Sequence, residues 1–501
     1  MDTTGSLAYF LPELALSGAI LVVIVFDLVF TGRAERRASA WPGKLAFLGA
    51  GAAVALTLGL PSLGVPGLLD RPGPGWLFNR MIVLDGFSVF FKVLLGLALL
   101  AVTWMSLGSR EVRGANEGEY YGLVLASTVG MLYMASAANL LMAYLSLEFV
   151  SLTSYVLTGF LRHDRRSGEA ALKYLIYGGV ASGAMIFGMS WVFGLTGAMD
   201  YTGIARGVAS LDANSRGALF LALVLVLAGF GYKIASVPFH MWAPDVYTGA
   251  PIPVTAFLAV GSKAAGFAML LRFFHFAVGS PGAVLAGVPL PQFVSVICVA
   301  TMTLGNFAAL GQQNMKRLLA YSSIAHAGYA LLGFVVFAER GVEALLFYLA
   351  VYYTMNLGAF WVVMLIANLT GREDLDGYRG LAWRGGALPA LGLSVFLFSL
   401  AGLPPLAGFL GKFYVFAAGV EGKLYALVVI GLLNSVVSLY YYARVVKTMF
   451  LDQPGAEDPV MSFRPLGDLG AVGLLVAAQF LLVRSDWLIE AVKNAGRVFP
   501  G

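Results

Sequence analysis

Four charged side chains stand where an apolar run would normally exclude them: Glu148 in "LSLEFVSLTSY", Lys233 in "FGYKIASVPFHMW", Lys263 in "AVGSKAAGF" and Lys412 in "AGFLGKFYVF". Each lies near the middle of a run long enough to cross a bilayer. A charge at that depth costs roughly 2.5 to 3.5 kcal/mol on insertion scales, so it marks a function or a fixed partner. His326, in "LLAYSSIAHAGYALLG", adds an imidazole beside Ser322 and Ser323. A carboxylate, amines and an imidazole in series are groups that exchange protons. Desolvation favours the neutral form of a lysine, whereas an approaching carboxylate favours the charged form. At an effective dielectric near 20, opposite charges about 4 Å apart interact by roughly 4 kcal/mol. One charge crossing 100 mV is worth about 2.3 kcal/mol. Making or breaking a contact between Glu148 and Lys233 can therefore take up or release a proton.

Other ionisable residues in the apolar zone have blander readings. Lys92, Arg272 and Lys447 are close enough to helix ends to snorkel to a headgroup. Glu13 and Asp27 fall near the ends of the first run, and Lys173 is only a few residues into its own. His240 lies at the end of a run, and His326 fits either a satisfied core histidine or a relay. A fixed ion pair between helices is the alternative for Glu148, Lys233, Lys263 and Lys412.

The elements that must position these groups are transmembrane helices. The chain has 501 residues, 59% hydrophobic and only 12% charged, with a mean hydropathy of +0.82. A soluble domain carries about 25% charged residues. Runs of about 20 apolar residues predict an all-α single membrane domain over 1–501 with fourteen spans. They fall at 8–30, 45–63, 82–108, 119–136, 139–161, 169–195, 217–240, 250–276, 291–311, 318–338, 342–370, 387–418, 421–450 and 466–487. The first run lacks a basic n-region and a small-residue cleavage site, which predicts a retained helix. Seventeen Lys and Arg fall in the odd-numbered loops and seven, Arg272 among them, in the even-numbered ones. The odd loops are thus expected in the cytoplasm and both termini outside. The net charge of +5 comes from loop topology signals rather than a nucleic-acid surface. Cys298 is the single cysteine, so neither an internal disulfide nor an iron–sulfur site is expected.

Two of the lysines neighbour helix breakers. Lys233 is five residues before Pro238, and Lys412 is seven after Pro405 in "LAGLPPLAGFLGKF". Interrupted spans in matching places of two halves point to a transporter site built from repeats. The 166-residue offset from Pro238 to Pro404 relates 119–276 to 291–450, and carries Glu148 to position 314. Five spans per unit require the second unit to be inverted.

Together, the segment around Glu148, "GYKIASVPFHMWAPDVYTGAPIPVTAFLAVGSKAAGF", "NMKRLLAYSSIAHAGY" and "LAGLPPLAGFLGKFYVF" resemble the antiporter-like membrane subunits of respiratory complex I, and the N type most closely. The resemblance covers nearly the whole chain. It implies two inverted five-helix repeats with helices seven and twelve broken, and a central hydrated axis. On it Glu148 and Lys233 form a pair, Lys263 bridges, Lys412 is the ionisable residue of the second broken helix and His326 lies on the connecting axis. Lysine rather than glutamate at 412 favours the N type. The resemblance also implies proton translocation as one subunit of a redox-driven NADH:quinone oxidoreductase in a bacterial inner membrane. Neighbouring membrane subunits would be its partners, and flavin, iron–sulfur clusters and quinone would be held elsewhere in the complex. A subunit of a multisubunit sodium/proton antiporter and a non-pumping structural subunit remain as alternatives.

Overall fold

The computed structural model describes residues 6–7, 9–30, 40–59, 75–114, 116–277, 288–455, 458–484 and 486–497. Apart from a short hairpin, β1 (Gly75–Leu77) with β2 (Ile82–Leu84), the described regular structure is helical. The helices are α1 (Leu11–Phe30), α2 (Trp41–Leu58), α3 (Gly86–Gly108), α4 (Glu117–Ser136), α5 (Leu140–Thr158), α6 (Arg165–Thr196), the short α7 (Tyr201–Ala209) and α8 (Arg216–Ile234). After a break come α9 (Trp242–Gly249) and α10 (Ile252–Phe257), which runs through a π-helical turn, Leu258–Ser262, into α11 (Lys263–Arg272). Then follow α12 (Leu290–Leu310), α13 (Met315–Val335), α14 (Glu339–Thr370), α15 (Ala387–Ala401), α16 (Ala407–Glu421), α17 (Tyr425–Phe450), α18 (Gly470–Leu481) and α19 (Asp486–Gly496).

Every expected span coincides with a helix or a broken pair. Among the described residues twelve helices are long and apolar enough to cross a membrane, or thirteen if one bent pair counts as a span. α4 falls short of that standard because Glu117, Glu119 and several tyrosines, serines and glycines dilute its apolar content. The twelfth expected span is cut into two helices of 15 residues each. The third begins at Gly86 rather than 82, because Asp85 caps it: its carboxylate accepts the Ser88 N–H at 2.8 Å, and Ser88 Oγ accepts the Asp85 N–H. Arg33, Arg36, Arg37, Arg71 and the end of the second expected span lie outside the described residues.

Both predicted interruptions are present and are closed in the same way. At the end of α8 the Ser236 N–H donates to Gly231 O and the Ala235 N–H to Tyr232 O; at the end of α15 Leu403 donates to Phe398 and Gly402 to Ser399. This is the paired bonding of a Schellman motif, which needs a left-handed residue just past the helix. Gly402 takes that conformation at φ +89° without strain. Ala235 takes it at φ 58°, where a Cβ costs roughly 1 to 2 kcal/mol. The first break is fastened by Trp242 Nε1 donating to Tyr232 O and by the Val237 N–H donating to Thr301 Oγ1.

Two expected snorkelling residues are instead locked inside. Lys92 is 4% exposed and pairs with Glu13 at 2.7 Å. Arg272 is 1% exposed and grips both oxygens of Asp85 at 2.7 and 2.8 Å, while its Nε–H donates to Ala135 O. Each cation meets a carboxylate from another part of the chain, which makes a route to the headgroups unnecessary. Arg272 therefore does not count as a loop charge, and the even loops keep six. Lys447 does reach outward, 64% exposed beside Asp452.

One device occurs twice. Asn139 and Asp200 form an isolated antiparallel bridge, as do Asn314 and Asp374, and all four are N-caps. Between each pair of caps lies a helix of 32 residues, α6 or α14, ended by a left-handed glycine, Gly197 or Gly371.

Candidate functional site

Lys233 occupies the last turn of α8 and is fully buried. The carbonyl end of a helix carries partial negative charge, so this half-helix holds a cation where its dipole favours one. The Lys233 ammonium donates to Ser151 Oγ at 3.3 Å. Ser151 is one turn beyond Glu148 on α5, and no ion pair within 4.0 Å joins Glu148 to Lys233. The structure thus seats Lys233 against α5 one turn beyond Glu148, bonded to a hydroxyl and not to the expected carboxylate. Glu148 is half-buried and its Oε1 has no hydrogen-bond partner. α11 passes close over the lysine stem: a Cβ on Gly266 would lie 3.2 Å from Lys233 Cγ.

The next three residues lie around α13, in separate hydrogen-bonded groups that neighbour one another. Lys263 starts α11 immediately after the π turn, a distortion that often marks functional positions. Its ammonium donates to Ser323 O at 2.9 Å and also to Ser323 Oγ, which the Tyr247 hydroxyl meets at 3.3 Å. Adjacent Ser322 shares a hydrogen bond of 2.5 Å with the Tyr442 hydroxyl. His326, one turn further along α13, places Nε2 at 3.3 Å from Tyr442 Oη and Nδ1 at 2.5 Å from Tyr348 Oη. Lys412 lies 4.7 Å from the centre of the Tyr329 ring, which itself stands 5.7 Å from the imidazole. The Lys412 ammonium donates to Ala401 O and Ser435 Oγ, both at 2.8 Å. Ala401 is the last residue of α15, so a lysine from one half of the broken helix closes the carbonyl end of the other. All of these groups are buried or nearly so. Hydroxyls and imidazoles both donate and accept, so each bonded segment can relay a proton along its own length.

Lys173 joins none of these segments. It is 38% exposed and pairs with Glu169 and Asp245, each at 2.7 Å. Asp245 also binds Arg317 at 2.6 Å, and neighbouring Lys316 binds Glu373 at 2.9 Å and Ala250 O at 2.8 Å. Glu111, in the loop before α4, accepts the Ile252 N–H at 2.7 Å. Burial pushes its carboxyl above the usual carboxylate range, with Lys316 acting in the opposite sense. Sequence reasoning overlooked Ser151, Ser435 and the tyrosines at 247, 329, 348 and 442. The runs "FYLAVYYTMN", which holds Tyr348, and "SLYYYARVV", which holds Tyr442, carried a signal, since stacked hydroxyls inside spans need partners. Among the described residues no group of three or more His, Cys, Asp or Glu is arranged to hold a metal. Cys298 is buried, with Gly328 O 3.1 Å from its sulfur.

Residues 137–438 match the family described as NADH:quinone oxidoreductase/Mrp antiporter, transmembrane region. An NADH-quinone oxidoreductase subunit N from Anaeromyxobacter sp. (strain Fw109-5) is 47% identical over 485 residues, covering 92% of this chain and 91% of that protein. A chain of respiratory complex I from Thermus thermophilus, solved with bound aureothin, is 33% identical with a TM-score of 0.76, covering 94% of this chain and 96% of its own. A chain of the Mrp complex from Dietzia sp. DQ12-45-1b shares the fold, at 22% identity and a TM-score of 0.81 over 99% and 98% of the two chains.

Proposed function

The chain belongs to the NADH:quinone oxidoreductase/Mrp antiporter family of membrane subunits, and on that premise we propose that Glu148, Lys233, Lys263, His326 and Lys412 carry protons through it. It is a multi-pass subunit of the NADH-quinone oxidoreductase subunit N kind, an antiporter-like proton-translocating component that works among other membrane subunits of complex I. The observation that carries the residue assignment is a pair of hydrogen-bonded segments on adjacent residues of α13, Lys263 with Ser323 and Ser322 through Tyr442 to His326, with Lys412 one aromatic ring beyond. Glu148, Ser151 and Lys233 form the separate entry station. Redox centres and quinone reside in partner subunits, and redox energy reaches this chain as a change in charge along the axis.

The twice-used bridge, the two 32-residue helices and the two Schellman-closed breaks support related units over 119–276 and 291–450. Their corresponding caps are 174 to 175 residues apart, not 166. That register sets Glu148 of the first unit against Ser323 of the second, the residue that receives Lys263. With five spans in each, the units are inverted, the odd-numbered loops face the cytoplasm of a bacterial cell and both termini lie outside.

Redox-driven proton uptake in sealed membranes carrying Lys233→Ala tests the assignment, with assembled complex quantified in the same membranes. The expected result is normal assembly with quinone reduction and proton uptake both lowered at least about tenfold, the equivalent of about 1.4 kcal/mol in a barrier. Full activity at full assembly would make Lys233 structural. A requirement for sodium without NADH would instead place the chain in a sodium/proton antiporter.

A further inference from the structure

The run "GAVGLLVAAQFL" of α18 holds one polar side chain, Gln479, and the helix turns it inward. Most of α18 faces outward; Ala471, Val472 and Gln479 are its buried residues, and Gln479 has no exposed surface. An amide taken out of water is costly unless both its ends are bonded. Gln479 Nε2 donates to Thr354 Oγ1 of α14 at 2.6 Å, and its Oε1 accepts the Ser399 hydroxyl of α15 at 2.7 Å.

The hydroxyls set the direction of these bonds. Thr354 gives its one hydroxyl proton to Val351 O at 2.9 Å, so toward Gln479 it accepts. Ser399 gives its proton to Gln479 and uses a lone pair to accept the Gly408 N–H at 3.0 Å. Gly408 lies in the first turn of α16, where backbone N–H groups have no carbonyl within their own helix. The N-cap residue there, Leu406, makes no side-chain cap bond. A serine from the other half of the broken helix supplies the cap instead.

The two halves therefore hold each other reciprocally. Ser399 of α15 caps the start of α16, and one turn along α16 the Lys412 ammonium closes the end of α15 on Ala401 O at 2.8 Å. Gln479 fixes the first of these links and ties it to α14, the helix whose Tyr348 meets His326. Glue between α14 and α18 alone would need no contact with the hydroxyl that caps α16.

We propose that Gln479 is a positioning residue for Lys412: through Ser399 it fixes the start of α16 and so the place from which the lysine reaches Ala401 O. The role rests on the reading of Lys412 as a proton carrier given above.

Two measurements on the assembled complex test it. Gln479→Met keeps a side chain of similar length and loses both strong bonds. Amide hydrogen exchange should rise at least about threefold across residues 405–412, the scale of an interhelical hydrogen bond in a membrane, and stay unchanged across 470–481. Faster exchange confined to 470–481 would make Gln479 a clamp for α18 and overturn the proposal. Redox-driven proton uptake per assembled complex should fall roughly threefold to tenfold in the same variant. Thr354→Val and Thr354→Ser probe the link from its other end, whatever the assembly of Gln479→Met. The valine variant should show the same loosening of 405–412 and the same loss of uptake, whereas serine restores both. Equal behaviour of the valine and serine variants overturns the proposal. Lys412→Ala separates the two levels of the argument. Full uptake there removes Lys412 from the path and the positioning role with it; low uptake there, with full uptake in Gln479→Met, overturns only the role of Gln479.

Discussion

Buried cations in this chain divide into two kinds by what they touch. Lys92 and Arg272 each meet a carboxylate within 2.8 Å, the geometry of a fixed charge whose partner's removal costs about 3 to 5 kcal/mol. Lys233, Lys263 and Lys412 meet only hydroxyls and carbonyls, which accept a hydrogen bond without fixing the charge. That difference was illegible in the sequence, where Lys92 and Lys233 look alike, because the deciding partner is 79 or more residues away. Ser151 is the sharpest case. It gives the Lys233 ammonium its hydrogen bond, and bonds to charged groups are worth about 1.5 to 3 kcal/mol. Ser151→Ala should therefore slow quinone-coupled proton uptake by roughly one to two decades in the assembled complex, whereas Ser151→Thr keeps the hydroxyl and most of the rate. Equal rates for both variants and wild type would remove Ser151 from the path.

At the scale of elements, the breaks were readable because proline and glycine act locally: Pro238 and Pro405 sit in the interruptions that they predicted. The π turn before Lys263 was not readable, since "LAVGS" has no breaker other than a glycine tolerated in many helices. Packing at the second break is tight enough to test. A Cβ on Gly408 would lie 1.8 Å from Ser399 O, and the Gly408 N–H donates to Ser399 Oγ at 3.0 Å. Gly408→Ala should force α16 away from α15 and cost at least about 2 kcal/mol, a magnitude typical of overpacking. Thermal unfolding of the purified complex should show it as a lowered midpoint. By contrast, Gly168 in α6 has nothing within 4 Å of its Cβ, and Gly168→Ala should leave stability unchanged or raise it by up to about 1 kcal/mol. Similar midpoints for both variants would contradict the packing argument.

Across the whole molecule, the helix inventory and the central lysines were legible from hydropathy alone, while the link between halves was hidden. Asp245 shows why: it reaches Lys173 of α6 and Arg317 of α13, both 72 residues away in opposite directions, and no periodicity encodes that. These partly exposed pairs are worth only about 0 to 1 kcal/mol each. Asp245→Asn should therefore leave assembly and melting within about 1 kcal/mol of wild type. Should turnover nevertheless collapse in that variant, as measured by quinone reduction at matched complex content, the network would be part of transport rather than a brace between halves. The second break gives the molecule a different property. Because the Lys412 ammonium, carried on α16, bonds the final carbonyl of α15, the proton that the proposed function makes cargo on that nitrogen is also a rivet. On that reading, unloading it loosens the joint through which it travelled, so occupancy and shape are written in the same atom.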